Sequence, residues 1–195
     1  MAKLRKHALH IFQAGLRAVD PVEAINRHVA VKDHMLRIGE QQLDLKDYDR
    51  ILVVGAGKAG APMANAMEDL LGNRIADGVV VVKDEHGLPL RKIKVREASH
   101  PVPDARGVKG TQEILSLVEK AGKRDLVICL ISGGGSALLP APAQGLTLAD
   151  KQAITKHLSG AGANIQQLNT VRKQLSRVKG GRLARACRAG QLISL

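Results

Sequence analysis

Three apolar runs dominate the chain: RILVVGAG from Arg50, GVVVVKDE from Gly78 and DLVICLISGGGSALL from Asp125. Their strand length and lack of polar alternation suit strands that are buried on both faces of a sheet. Helical spacing separates them. Ala59, Met63, Met67 and Leu70 mark one helix face after the first run, and Val108, Leu115 and Val118 mark another before the third. The shorter, alternating KIKVREA and the terminal QLISL read as further strands, and Thr147–Leu158, Ile165–Leu175 and Arg182–Arg188 read as helices. Strands alternating with helices imply an α/β fold around a parallel sheet.

The reading divides the chain in two. Residues 49–195 form a Rossmann-like parallel sheet flanked by helices, and residues 1–48 form an N-terminal helical segment and short hairpin packed on it. Leu4, Ala8, Ile11, Phe12, Leu16 and Val19 recur at helical spacing. Asp20 and Pro21 then open a second helix, DPVEAINRHV, as N-cap and first-turn residues. LRIGEQQLDL, around Gly39, predicts a hairpin. Because QLISL stops inside an apparent strand, the main domain is expected to be incomplete at its C-terminal end.

Charge narrows the function. The formal net charge of the 195 residues is +12, and no acid follows Asp150, whereas nine lysines and arginines lie between Lys151 and Arg188. Such a stretch can neutralise nucleic-acid phosphates. However, Phe12 and Tyr48 are the only aromatics, so stacking platforms for unpaired bases are nearly absent. A small anionic substrate or an acidic partner surface remains. No apolar run approaches the ~18 residues of a membrane helix, and the start MAKLRKHALHIF is not a signal peptide, so a cytoplasmic chain without a membrane partner is expected. Cys129 and Cys187 make neither a disulfide framework nor a metal-ligand spacing.

Three motifs carry candidate chemistry. In VVGAGKAG, Gly55, Gly57 and Gly60 fit G-x-G-x-x-G. One reading is a dinucleotide seat, with Asp84 at the end of the next strand on the ribose. A second uses Lys58 to neutralise charge on a phosphate being transferred. A third is a tight turn with a solvated lysine. In ISGGGSALL, Ser132 and Ser136 flank Gly133, Gly134 and Gly135, whose bare N–H groups can form an anion-binding nest. It is neither a Walker A loop nor a G-x-S-x-G elbow. In NTVRKQLSRVKGGRLA, Asn169, Arg172 and Lys173 share a helical turn, and Arg172 can grip a carboxylate or phosphate with two bonds. His100, before Pro101, reads as structural, and His7 and His10 lack further ligands, so no metal site is expected.

Together, VVGAGKAGAPMANAME, SHPVPD, DLVICLISGGGSALLPAP and NIQQLNTVRKQLSRVKGGRLA closely resemble the glycerate 2-kinase family, whose members also bear a hydroxypyruvate reductase label. The resemblance covers nearly the whole chain from about Arg50. It implies ATP- and Mg²⁺-dependent phosphorylation of the 2-hydroxyl of D-glycerate to 2-phosphoglycerate. Lys58 and Arg172 are its catalytic residues, with Lys58, Asn169, Arg172 and Lys173 on the substrate. Gly55, Gly57 and the loop Ser132–Ser136 lie on the nucleotide. Ser99 stands where the family usually has glycine, and Gln167 where it usually has an acid. Family members continue past ISL into an acidic stretch and a second domain. The resemblance therefore implies an N-terminal fragment, inactive alone, whose Mg²⁺-binding acids lie in the missing C-terminal domain. A homodimer is left open, and the alternative readings are an NAD(P)H-dependent hydroxypyruvate reductase and a basic nucleic-acid-binding module.

Overall fold

Strands with apolar side chains on both faces need cover on both, and the chain supplies it with two helical layers. In the structure, a computed structural model that describes residues 2–195, the main sheet holds β4 (Arg50–Ala56), β5 (Ile75–Lys83), β6 (Ile93–Ala98), β7 (Asp125–Ile131) and β8 (Gln191–Ser194). All pairings are parallel, in the order β6-β5-β4-β7-β8. The order runs outward from β4 in both directions, so the doubly wound sheet has its switch point between β4 and β7.

Alternation along β4 divides the core. Ile51 and Val53 face one layer, with α2 (Pro21–His28) and α3 (Gly60–Leu71). Leu52, Val54 and Ala56 face the other, with α4 (Ala105–Glu119), α5 (Gly135–Leu138) and α8 (Arg182–Ala186). Two polar anchors fix its edges. The Glu68 carboxylate, 2% exposed, accepts the N–H groups of Arg91, Lys92 and Ile93 at 2.6–2.8 Å and so holds the entry to β6. Arg50 donates two bonds to buried Asp125, at 3.0 and 2.5 Å, which ties the starts of β4 and β7.

The N-terminal region differs from the sequence expectation in two ways. The second helix ends at His28, and Val29–Lys32 is a strand, β1, paired antiparallel with β2 (Met35–Ile38). β-Branched Val29 and Val31, followed by a turn with Asp33 at φ 54°, favour extended chain there. The expected hairpin pairs β2 with β3 (Gln41–Asp44) through Gly39. This three-stranded sheet and α2 share the α3 side of the core. The first helix, α1 (Ala2–Ala18), does not: Leu4, Ile11 and Phe12 are 62–74% exposed. No helix among the described residues is long and apolar enough to cross a membrane.

The remaining helices, α6 (Leu148–Gly160) and α7 (Ile165–Gln174), both start with capping boxes, Thr147 with Asp150 and Asn164 with Gln167. Gln167, at the position where the resemblance favours an acid, thus accepts the Asn164 N–H with its side-chain oxygen.

Candidate anion-binding site

Adjacent parallel strands β4 and β7 deliver their glycine loops to one point on the carboxyl edge of the sheet. There the loops bind each other. The Lys58 N–H donates to the Gly133 carbonyl at 2.8 Å, the Ala59 N–H to Ser132 Oγ at 3.0 Å, and the Ser132 N–H to the Ala56 carbonyl at 3.1 Å. The Gly57 N–H goes to the Val81 carbonyl. A side chain at Gly55 would collide with the Leu130 backbone, and one at Gly57, with φ 143°, would collide with Ser132.

These contacts give Gly55 and Gly57 a different reason from the one expected. The backbone they must let approach is β7 and its loop, and the first-loop N–H groups that a pyrophosphate would need are already bonded to protein acceptors. Asp84 is engaged too. Its carboxylate receives Arg106 Nη1 and Nη2 at 2.6 and 2.9 Å rather than standing free for a ribose. Neither feature of a dinucleotide seat is thus free.

The second loop has donors to spare. Gly134, at φ 89°, turns the chain into α5, and the N–H groups of Gly133, Gly134 and Ser136 donate to no acceptor among the described residues. A Cβ placed on Gly134 would lie 3.0 Å from His100 Nε2 and 3.4 Å from Lys58 Cγ. The loop is therefore flanked by an imidazole and by the exposed Lys58, which forms no ion pair among the described residues. The sequence reading gave His100 only a structural role.

Beside this loop lies a cavity of about 400 Å³. Pro101, Val102, Pro103 and Pro140 line it with apolar surface, and Lys151, Lys156, Arg172 and Lys179 with cations. Gln152 fixes the wall by donating to the Pro103 carbonyl at 2.7 Å. Arg172 Nη2 donates to Ser136 Oγ at 2.9 Å, which joins cavity to loop. The Lys151 ammonium donates to the Leu175 carbonyl at 2.9 Å, and that of Lys179 to the Leu139 carbonyl at 3.0 Å. Among the described residues no carboxylate lines the cavity. Burial, and then the charges of Lys151 and Arg172, push the Lys179 pKa down to about 7. Burial and Arg172 lower that of Lys151.

Of the expected site residues, the structure thus brings Ser136 and Arg172 together, and Lys58 against Gly134. Asn169 and Lys173 do not line the cavity. Lys173 is exposed, with its carbonyl taken by Arg182. The reason is helical geometry: one turn places residues on one side only approximately, and a neighbour at i+1 points about 100° away. Lys151 and Lys179 were visible in the sequence only as members of a basic run. No group of three or more His, Cys, Asp or Glu among the described residues could hold a metal ion.

Residues 7–195 match the family described as "Domain of unknown function (DUF4147)". A glycerate 2-kinase of Pyrococcus horikoshii is 40% identical over 93% of this chain and 40% of its own length. An Agrobacterium vitis protein that carries a hydroxypyruvate reductase name is 49% identical over 75% of this chain and 38% of its own length. The crystal structure of a Thermotoga maritima glycerate kinase superposes with a TM-score of 0.84 at 37% identity, covering 100% of this chain and 44% of that one. The chain spans about two fifths of the length of the relatives it matches.

Proposed function

The chain belongs to the DUF4147 family, the N-terminal domain of the glycerate 2-kinases, and from that membership we propose that it supplies the phosphate-neutralising part of a glycerate 2-kinase. The reaction transfers the terminal phosphoryl group of ATP to the 2-hydroxyl of D-glycerate. One observation carries the reading: at the sheet's switch point a lysine and a loop of N–H groups, all without partners among the described residues, adjoin a cavity lined by cations and no acids.

Phosphoryl transfer asks little of a protein beyond positioning and charge neutralisation. The Gly133, Gly134 and Ser136 N–H groups hold phosphate oxygens, and Lys58 opposes the charge that gathers on them during transfer. Arg172, oriented by Ser136, holds an anionic group of the substrate, with Asn169 and the exposed Lys173 on the same helix outside the cavity lining. Mg²⁺ would supply further neutralisation of phosphate charge, but the site residues of this chain include no carboxylate and do not fit it. The hydroxypyruvate reductase reading has less support, because its pyrophosphate donors and ribose acid are engaged elsewhere.

The test is a titration of this chain with ATP and with D-glycerate, followed by amide chemical shifts. Saturable shifts at Gly133 and Gly134 that disappear in Lys58→Ala are expected. Hydroxypyruvate-dependent oxidation of NAD(P)H by the chain would overturn the reading.

A further inference from the structure

We propose that Lys151, Arg172 and Lys179 form a second oxyanion site, adjoining the Lys58 loop through the Arg172–Ser136 bond, that takes a phosphate dianion in the cavity between α6, α7 and the Pro101–Pro103 segment. Binding of an oxyanion follows from charge and hydrogen bonding in the cavity, and the choice of phosphate ester rests on the kinase reading.

An ammonium has three donors. Lys151 spends one on the Leu175 carbonyl and Lys179 one on the Leu139 carbonyl, and no second acceptor exists for either among the described residues. Arg172 spends one N–H on Ser136 and keeps four. Lys151 is only 9% exposed, and its free donors point to the cavity that it lines. Three cations thus converge from α6, α7 and the segment after α7, close enough that Lys151 and Arg172 both make protonation of Lys179 harder. Buried cations without a counter-charge are costly. A dianion with several acceptor oxygens would both neutralise the cluster and accept the spare donors.

The opposite wall says what else the ligand carries. The side chains of Pro101, Val102 and Pro140 offer apolar surface, which suits the carbon part of a phosphate ester. Two esters of the proposed reaction present that chemistry, an adenine nucleotide and a phosphorylated hydroxy acid, and competition separates them.

The charged and titratable groups that face Lys179 are Lys151 and Lys156 from α6, Arg172 from α7 and, on its other side, the Cys129 thiol of β7, which burial pushes up to about 11, with the Ser136 hydroxyl from α5. None is a carboxylate or histidine, so titration near neutral pH belongs to Lys179. An anion should therefore bind with proton uptake and should lose affinity as the pH rises above neutrality.

Sulfate is the probe, since it stays divalent throughout, and amide shifts with calorimetry are the readouts. Saturable shifts at Gln152, Thr155 and Lys179 are expected, with affinity about tenfold weaker at pH 8.5 than at pH 6, which is about 1.4 kcal/mol. Lys179→Met and Lys151→Met should each weaken sulfate about tenfold, whereas Lys123→Met, on the surface elsewhere, should not. Displacement of sulfate by ADP or by 2-phosphoglycerate supports the site and names the source of its phosphate. Three outcomes overturn the proposal: no saturable binding at pH 6, shifts confined to Gly133 and Gly134, or displacement by neither ester. The shift map and the ester competition use the unaltered chain, so they decide the matter even if a variant fails to fold.

Discussion

Replacing Lys179 with methionine should remove a pH dependence from the stability of the chain. In the folded state burial, Lys151 and Arg172 lower the Lys179 pKa to about 7, whereas an unfolded lysine titrates at about 10.4. Below about pH 7 both states hold the proton, and the folded chain bears the full cost of the crowded cation. Between the two pKa values the unfolded chain holds more protons, so stability rises with pH by about 1.4 kcal/mol per unit. Cys129 acts in the opposite sense: burial pushes its thiol up to about 11, so stability falls once unfolded thiols ionise above about pH 8.5. The clean window is therefore about pH 7 to 8.5, worth about 2 kcal/mol. Methionine also strands the Leu139 carbonyl that Lys179 now satisfies. That shifts stability at every pH but adds no slope. The assay is urea unfolding followed by far-UV circular dichroism, in buffers free of sulfate and phosphate, for both chains across the window. Parallel stability profiles would refute the reasoning, because they would mean that Lys179 keeps an ordinary pKa in the fold.

Three further outcomes follow from the same geometry. Glu68→Gln turns one acceptor oxygen toward backbone N–H groups as a donor, and should cost about 3 kcal/mol in urea unfolding at neutral pH. Gly57→Ala meets both a positive φ and the Ser132 side chain, and should lower the thermal midpoint by at least about 4 °C, in line with about 2 kcal/mol. Asp125→Asn should cost about 2 kcal/mol near neutral pH, less than a fully buried pair because Arg50 is half-exposed. Arg50 holds the Asp125 carboxyl below its ordinary range, so this stabilisation is present above about pH 4 and is lost as the pH falls through the folded value. The Asn variant and the parent should therefore converge in acid.

Much of the fold was legible because burial on both faces leaves a strong trace. The runs at Arg50, Gly78 and Asp125 carry no polar alternation, and each became a central strand. The Asp20 cap and the Gly39 turn were equally local, as side chain or backbone acts on its immediate neighbours. β1 was not legible, since Val29–Lys32 is short and its partner β2 lies beyond a turn. Likewise α1 has the spacing of a packed helix, yet periodicity says only that an apolar face exists.

For the site, the sequence by itself determined the residue types: glycine loops after buried strands, a lysine among them, and a C-terminal stretch with cations and no acids. Only the tertiary structure decided what those residues face. It turned Gly55 and Gly57 toward β7, engaged Asp84 with Arg106, set His100 beside Gly134, and drew Lys151 and Lys179 into one cavity with Arg172 while leaving Lys173 outside. The physical reason is range. Strand burial, caps and turns depend on neighbours along the chain, whereas a hydrogen-bond partner or a neighbouring charge is chosen by packing between segments tens of residues apart.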